Sequence, residues 1–303
     1  MQTILSVRPA TYRPGMGTPE TRLRAAEAEP LQWGYRYLMC RPDYFDVTYE
    51  INPWMDVDRR PDAELALEQW ERLVAAFEAA GAKVELLPPV AGLPDLVFTA
   101  NAGLVDGERV FVSRFRYPER RPESAHDEAW FRAAGFEVVE VADPSPRFEA
   151  GDAIPFGDSL IAAHGFRTEA ATYDWIAPLV GSTVVSAPLI DRQLYHLDVA
   201  FCPLDSRHAL VARPAFDRWT LAAISAVVPE PLYIDADEAA TFCANSAVIG
   251  STVIMPACPP RIARVLEGWG FEVVVVDVGE FLKAGGAVSC LALALDTRLD
   301  RRS

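Results

Sequence analysis

The sequence predicts an α/β fold in which five ββαβ units form a ring around a central axis. One pattern recurs four times: an aromatic residue or histidine, then a small polar or acidic residue, then two short apolar strands joined by a turn. The copies begin at Phe98, Phe148, His196 and Phe242, at intervals of 50, 48 and 46 residues. Self-similarity at a nearly fixed interval is typical of a ring or array of one supersecondary unit. An ordinary α/β sheet with accidental similarity is the alternative.

The segments between the copies share a second pattern, an amphipathic helix followed by a glycine and a strand. It occurs in residues 63–88, 128–141 and 261–278. The last apolar stretch, GGAVSCLALAL at 285–295, falls at about the next interval of the repeat. We expect it to close the ring by pairing with YRYLMC at 35–40, where the core begins, because a closed ring leaves no terminal sheet edge.

The domain organisation follows from composition. Half of the 303 residues are hydrophobic, which is ample for one large core. Residues 1–33 are rich in Pro, Arg and Glu and show no apolar period, so they are predicted to form a loosely held extension. Residues 34–303 are predicted to form a single domain.

The charge and cysteine content exclude several function classes. The net charge is −15 and no basic patch is visible, which argues against nucleic acid and favours a small cationic substrate. Five irregularly spaced cysteines argue against a disulfide framework, and the four histidines form no zinc motif. The sequence shows neither a signal peptide nor an apolar run of membrane-spanning length. We therefore expect a cytoplasmic protein without a membrane partner or a bound metal.

If the units share one geometry, their equivalent positions face a common axial pocket. A thiol, an imidazole, carboxylates and amides would then converge there, as a thiolate nucleophile with a nearby acid/base requires. Carboxylates in such a pocket would hold a planar cation. The alternative is structural: a buried core thiol, a hydrogen-bonded core histidine, and acidic residues that cap turns. The positions concerned are Asn101, Glu149, Asp152, His196, Asp198, Asn245 and Cys290.

Four ordered motifs resemble the guanidine-modifying superfamily, which has the pentein fold. They are PDLVFTAN at 94–101, FEAGD at 148–152, HLD at 196–198 and GGAVSC at 285–290. With YFDVTYEINPWMD at 44–56, the resemblance covers nearly the whole chain after the extension. It implies an α/β-propeller of five pseudo-symmetric units around a central active-site channel. Arginine deiminases, dimethylarginine dimethylaminohydrolases, amidinotransferases and arginine dihydrolases share this fold.

The resemblance implies a role for each catalytic residue. Cys290 would attack the guanidinium carbon and form a covalent amidino-thioether. His196 would protonate the departing amine and then activate water. Glu149 and Asp198 would bind the guanidinium and orient the histidine. The chemistry of the family requires no metal or organic cofactor.

The resemblance also implies residues that hold the amino-acid part of a substrate. Arg120 and Arg167 fall where family members bind the α-carboxylate, with solvated surface arginines as the alternative. Asp95 matches an acidic residue that dimethylarginine hydrolases place near the substrate amine. Asp152 lies close to Glu149 in the same motif, and we expect it to bind substrate as well.

One departure from the family pattern is informative. Deiminases and dimethylarginine hydrolases have aspartate where this chain has Asn101. An amide can donate a hydrogen bond to the ureido oxygen of neutral citrulline, which a carboxylate would repel. A site with this amide, and with Asn52 as a second one, would retain citrulline for a second attack and produce ornithine, carbon dioxide and two ammonia. This pattern looks most like the arginine dihydrolase branch.

The expected activity is therefore hydrolysis of the guanidino C–N bonds of L-arginine by an arginine dihydrolase. A plain arginine deiminase, in which Asn101 merely adjusts affinity, and a dimethylarginine dimethylaminohydrolase are alternatives. Asp95 favours the latter, whereas the His-x-Asp pair at Asp198 argues against it. Amidine transfer ranks lower because no second amine pocket is visible.

A catalytically inactive pentein that only binds ligands, such as a ribosome-binding factor, is the non-enzyme alternative, and the presence of Cys290 and His196 argues against it. The sequence leaves the oligomeric state open, with a homodimer as one option.

Overall fold

The computed structural model describes residues 28–139 and 146–299 as five three-stranded sheets. Each sheet consists of an antiparallel pair and a third strand that runs parallel to its neighbour. In each unit a helix precedes the parallel strand. The predicted α/β fold of five ββαβ units is confirmed.

The elements follow one another in the same order in each unit. In chain order they are β1 (Arg36–Cys40), α1 (Ala63–Ala79), β2 (Lys83–Leu87), β3 (Gly103–Asp106), β4 (Arg109–Val112), α2 (Glu123–Ala133), β5 (Glu137–Val138), β6 (Ala153–Phe156), β7 (Ser159–His164), α3 (Thr172–Val180), β8 (Thr183–Pro188), β9 (Phe201–Pro203), β10 (His208–Ala212), α4 (Arg218–Val227), β11 (Glu230–Ile234), α5 (Ala236–Ala239), β12 (Ala247–Ile249), β13 (Thr252–Met255), α6 (Pro260–Gly268), β14 (Glu272–Val275), α7 (Gly279–Leu282) and β15 (Leu293–Ala294).

The first sheet is assembled from distant parts of the chain, in the order β15-β1-β2. Tyr37 pairs with Ala294 and Leu38 with Leu293 in antiparallel register, while β2 runs parallel to β1. The prediction that 285–295 closes the ring with 35–40 is confirmed. The pairing is short, because only two residues of the apolar stretch extend as a strand after the turn that carries the cysteine.

Helix α1 shows why these segments adopt their local structure. Asp62 caps its first turn by accepting hydrogen bonds from the backbone of residues 64 and 65. The side chains of Trp70, Leu73 and Phe77 lie on one buried face at helical spacing. The chain leaves the helix at Gly81, whose φ of +99° suits glycine.

Helix α2 begins earlier than the apolar pattern predicts. The pattern starts at residue 128, whereas the helix starts at Glu123. Its first turn is held by a buried ion pair between Glu123 and Arg120 rather than by apolar burial. A hydrophobic period cannot reveal a turn of that kind.

The predicted extension lies partly within the described residues. Pro30 forms a β-bridge with Asp205, and the Glu29 backbone N–H donates to the hydroxyl of Ser206. Leu31 and Trp33 pack against the hydrophobic core. Residues 29–33 are therefore attached to the domain, and residues 1–27 lie outside the described part of the chain.

A closed series of hydrogen bonds links the five units at the centre. The tight turn that precedes each inner strand bonds to the turn of the next unit, and the fifth returns to the first. We call this series the axial hydrogen-bond ring. Its bonds run from Gly151 N to Asn101 Oδ1 (3.1 Å), Leu197 N to Asp152 Oδ1 (3.1 Å), Asn245 Nδ2 to Asp198 O (2.8 Å), Ala287 N to Asn245 Oδ1 (3.1 Å) and Ala100 N to Cys290 O (3.1 Å).

The packing of α1 leads to a stability prediction. Phe77 is fully buried and meets Tyr37 edge to face, with ring centroids 4.8 Å apart. We expect Phe77→Ala to lower the free energy of unfolding by about 3–5 kcal/mol because it leaves a cavity. Leu65→Ala, at an exposed position of the same helix, should cost less than about 1 kcal/mol. Urea unfolding monitored by circular dichroism measures both, and equal losses would contradict the described burial of this helix.

Candidate active site

Glu149 and His196 form a hydrogen-bonded pair at the centre of the ring. His196 Nε2 lies 2.8 Å from Glu149 Oε2, and Arg167 Nη1 donates to the same oxygen at 2.9 Å. The backbone N–H of Arg116 donates to the other carboxylate oxygen. Burial alone would raise the pKa of Glu149, but the Arg167 charge and the His196 hydrogen bond hold it well below its usual range. Glu149 is therefore ionised and fixes the orientation of the imidazole.

The thiol of Cys290 lies against a second carboxylate. Its Sγ is 3.0 Å from Asp198 Oδ2, and Asn245 Nδ2 donates to the sulfur at 3.1 Å. Burial and the neighbouring Asp198 charge raise the pKa of the Cys290 thiol well above its ordinary value. Burial also raises the pKa of Asp198. Without a cation nearby, the cysteine is a neutral thiol that donates to the carboxylate.

The two glycines before the cysteine allow close approach of neighbouring side chains. Gly285 has a φ of +82°, and a Cβ there would lie 2.8 Å from Asn52 Oδ1. A Cβ on Gly286 would lie 2.3 Å from the ring of Phe98. Asn52 also donates from Nδ2 to the carbonyl of Ala284 at 3.0 Å. The predicted second amide thus holds the loop at 50–54 against the turn that carries Cys290.

The Asp152 side chain bonds to the backbone of two neighbouring segments. Its two oxygens accept from the backbone N–H groups of Leu197 (3.1 Å) and Thr168 (3.2 Å). Burial raises the pKa of Asp152 to about 6, and the nearby His196 charge opposes this rise. Both oxygens are used to shape turns, so the geometry gives Asp152 a structural position beside the site.

Asn101 is brought close to Asp198 by an intervening glycine. A Cβ on Gly151 would lie 2.8 Å from Asn101 Oδ1 and 3.5 Å from Asp198 Cγ. The backbone N–H of Gly151 donates to Asn101 Oδ1, which fixes the orientation of the amide. The Nδ2 group therefore faces away from the glycine and remains the donor side of this residue.

Arg120 is buried and held by acidic groups of its own chain. Its Nε and Nη2 donate to Glu123 at 3.0 and 2.7 Å, and Nη2 also donates to the backbone carbonyl of Asp95. The Asp95 carboxylate lies 3.9 Å from Nε. Burial raises the pKa of Glu123 to about 7 despite the Arg120 charge. The contacts rule out the alternative of a solvated surface arginine.

Arg167 lies between two aromatic rings. Its guanidinium carbon is 4.9 Å from the ring centre of Tyr117 and 4.7 Å from that of Tyr195. Besides Glu149, it bonds to the backbone carbonyl of Ile51 at 3.1 Å. This arginine is also buried, and it lines a cavity.

That cavity, which we call the mouth cavity, has a volume of about 440 Å³. Its size lies within the range of small-molecule sites, so an amino acid would fit. Asn52 and Arg167 are the predicted site residues that line it, and the other predicted site residues are buried. Its walls are formed by residues 50–53, 116–117, 165–167, Arg192 and Tyr195.

Several residues of the site were not predicted from the sequence. Thr168 donates its hydroxyl to the Glu149 carbonyl and accepts from the Glu149 N–H. Tyr117, Tyr195 and Glu123 position the two arginines. The sequence offers one signal for two of them, their position next to a predicted site residue. Thr168 directly follows Arg167, and Tyr195 directly precedes His196.

Within 28–139 and 146–299, no group of His, Cys, Asp and Glu side chains could hold a metal ion. None of the helices in that part of the chain is both long and apolar enough to cross a membrane.

The contact between Asp198 and Cys290 predicts a change in thiol reactivity. Asp198→Asn removes a negative charge 3.0 Å from the sulfur, so we expect the pKa of Cys290 to fall by about one unit or more. The pH dependence of iodoacetamide alkylation at Cys290, followed by peptide mass spectrometry, measures the midpoint. The exposed substitution Asp237→Asn is the control and should leave the midpoint unchanged. A midpoint that stays unchanged in Asp198→Asn would show that this carboxylate does not govern the thiol.

Comparisons with known proteins identify relatives across most of the chain. A family model described as N,N dimethylarginine dimethylhydrolase, eukaryotic, matches residues 44–295. The chain is 36% identical over 282 residues to the N(G),N(G)-dimethylarginine dimethylaminohydrolase of Mycobacterium tuberculosis, covering 93% of this chain and 88% of the relative. It is 41% identical over 263 residues to the bifunctional arginine dihydrolase/ornithine cyclodeaminase ArgZ of Synechocystis sp.. That match covers 85% of this chain but only 37% of ArgZ, so the chain spans little more than a third of that relative.

Solved structures agree with these relationships. The N-terminal domain of ArgZ, covalently bound to a reaction intermediate, matches with a TM-score of 0.83 and 39% identity, over 87% of this chain and 98% of that domain. The dimethylarginine dimethylaminohydrolase of Pseudomonas aeruginosa, complexed with citrulline, matches with a TM-score of 0.72 and 23% identity, over 86% of this chain and 99% of that chain, which supports the fold alone. The chain therefore belongs to the dimethylarginine dimethylhydrolase family, within the guanidine-modifying superfamily of pentein proteins.

Proposed function

We propose that this protein hydrolyses the guanidino C–N bonds of L-arginine through a covalent intermediate on Cys290. We further propose that it continues past citrulline to ornithine, carbon dioxide and two ammonia. The relative ArgZ is named an arginine dihydrolase, and structures of its N-terminal domain contain substrate, a covalent intermediate and product. The orientation of the Asn101 amide is the observation in this chain that carries the proposal.

The first chemical step requires a thiolate, which the free site disfavours. A guanidinium bound beside Asp198 and Glu149 would place a positive charge next to Cys290 and lower its raised pKa. The substrate thus helps to ionise its own nucleophile. The sulfur then forms a bond to the guanidinium carbon, the C–NH₂ bond breaks, and His196 supplies the proton with which ammonia departs.

The second step uses the same histidine as a base. His196, now neutral and oriented by Glu149, takes a proton from water as the water oxygen bonds to the amidino carbon. The C–S bond breaks and the thiol returns, leaving citrulline. One water is consumed and one ammonia is released in this round.

Asn101 distinguishes the proposed dihydrolase from an enzyme that stops there. Its oxygen accepts from the Gly151 N–H, so its Nδ2 group is the donor available to a ligand. Citrulline is neutral and its ureido oxygen accepts hydrogen bonds. Retained in this way, citrulline would react with a second water to give ornithine, carbon dioxide and ammonia.

Hydrolysis of methylated arginines is the second candidate. The matching family model and the Mycobacterium tuberculosis relative both carry the dimethylarginine name. Asp95, a buried carboxylate beside Arg120, would also suit the amine of either substrate. An arginine deiminase that releases citrulline would use the same residues.

We also propose a cytoplasmic location and a homodimeric assembly. The five cysteines are all unpaired thiols, as expected in a reducing compartment. Sedimentation of the purified protein would distinguish a dimer from a monomer.

A product count tests the proposed reaction. Purified protein incubated with L-arginine should yield ornithine and about two ammonia per arginine at full conversion, because citrulline is retained. Cys290→Ser should abolish turnover, since the chemistry passes through that sulfur. Citrulline with one ammonia would indicate a deiminase, and turnover of dimethylarginine alone would indicate the second candidate. No turnover of any guanidine would favour a protein that only binds its ligand.

Asn101→Asp tests the residue that carries the dihydrolase proposal. A carboxylate cannot donate to the ureido oxygen, so we expect this variant to release mainly citrulline. Ornithine formation should fall by about tenfold or more relative to citrulline, equivalent to the loss of one good hydrogen bond. Asn101→Ser, which keeps a donor, is the matched control. Unchanged ornithine formation in the aspartate variant would show that the second round does not depend on the amide.

A further inference from the structure

A second cavity lies at the centre of the ring. Its volume is about 110 Å³, and it has no lining residue in common with the mouth cavity. The inner strands of all five units, β3, β6, β9, β12 and β15, contribute to its wall. The lining is mainly apolar and includes Val105, Ile154, Val248 and Leu293. We call it the axial cavity.

Residues of the candidate site line one part of the axial cavity, which we call its inner end. Gly151 and Asp198 both line it, as does Ser289, the residue before the nucleophile. Asp198 is buried, and its Oδ2 contacts the thiol of Cys290. Its Oδ1 receives no hydrogen bond from any described residue. A residue of the cavity wall therefore carries a buried carboxylate oxygen that can accept a further hydrogen bond.

The outer end of the cavity is bounded by the segment before β1. Leu31 and Trp33 line it there. The backbone N–H groups of Gly34 and Tyr35 donate to the Asp296 carboxylate at 2.9 Å each, which holds this segment in place.

The proposed reaction requires small molecules to exchange at the cysteine while the amino acid stays bound. Each round releases one ammonia from the carbon attached to Cys290 and consumes one water, whose oxygen bonds to that carbon. In two rounds, two waters must enter and two ammonia must leave before ornithine is released. During this time the amino-acid part of the substrate would occupy the mouth cavity, which Asn52 and Arg167 line.

We propose that the axial cavity admits water to Cys290 and carries ammonia away from it. This inference rests on the proposed hydrolysis of a guanidine. The apolar wall suits neutral ammonia, because an ammonium ion would lose its hydration there. The free oxygen of Asp198 offers a hydrogen-bond partner for water or ammonia at the inner end.

Filling the cavity tests the proposal. Ala294→Leu and Ala247→Leu add bulk at two wall positions on different strands. Ala226→Leu, on the exposed side of α4, is the matched control. Three quantities are measured: kcat with L-arginine, the fraction of Cys290 trapped as a covalent adduct by acid quench during turnover, and the rate of Cys290 alkylation by chloroacetamidine.

We expect kcat to fall by about tenfold or more in both cavity variants, while the trapped adduct fraction rises. The rate of Cys290 alkylation and the KM for L-arginine should stay within about twofold of the values for the unaltered protein, because chloroacetamidine and L-arginine would both enter through the mouth cavity. The control should match the unaltered protein in all three measurements. Folded cavity variants with the kcat and adduct fraction of the unaltered protein would overturn the proposal. A fall in the alkylation rate as large as the fall in kcat would also overturn it.

A second measurement covers the case in which leucine prevents folding. Ala294→Val and Ala247→Val narrow the cavity less than the leucine variants do. Xenon under pressure fills an apolar cavity without any substitution, so turnover of the unaltered protein is also measured under xenon. Slower turnover with more trapped adduct supports the proposal, and unchanged turnover with xenon located in the cavity overturns it. Inactivity of the unaltered protein with arginine would contradict the proposed function instead. The same adduct measurement with dimethylarginine would then decide the role of the cavity.

Discussion

The axial hydrogen-bond ring is the constraint on which the site depends. Each unit supplies a turn whose polar group bonds to the next unit, so no single unit fixes the geometry alone. Residues of the ring also belong to the candidate site. Asn101 uses its Oδ1 atom for the ring, and Cys290 uses its backbone carbonyl while its sulfur contacts Asp198. A single residue can therefore hold the ring together with one atom and keep another atom for the proposed chemistry.

The two central carboxylates have different environments and thus different properties. Glu149 has its charge matched by Arg167 and His196, which keeps it ionised despite full burial. Asp198 has only a thiol on one oxygen, and burial raises its pKa. The first carboxylate is satisfied without a ligand, whereas the second gains most from an incoming cation. In the proposed reaction, Asp198 is therefore the carboxylate whose charge the guanidinium would neutralise.

The repeat spacing was sufficient to predict the ring, its closure and the residues that meet at the axis. It succeeded because each polar residue follows a turn at the same place in its unit. It did not separate Asp152, which bonds only to backbone, from Glu149, which bonds to His196, since both lie in one tight turn. Contacts such as Glu123 with Arg120, or Tyr195 with Arg167, depend on side-chain directions that spacing does not encode. The packing of residues 29–33 was missed because their composition resembles that of a free segment.

Closure of the first sheet also has a consequence for the order of folding. Tyr37 pairs with Ala294, so this sheet joins segments separated by nearly the whole described chain. Contacts of such high sequence separation carry a large loop-closure entropy and form late. During synthesis, strand β1 emerges long before its partner and must wait for it. Cys290 lies directly ahead of that partner strand, so the proposed nucleophile reaches its final position only after residues 293–294 have been synthesised and have paired with β1.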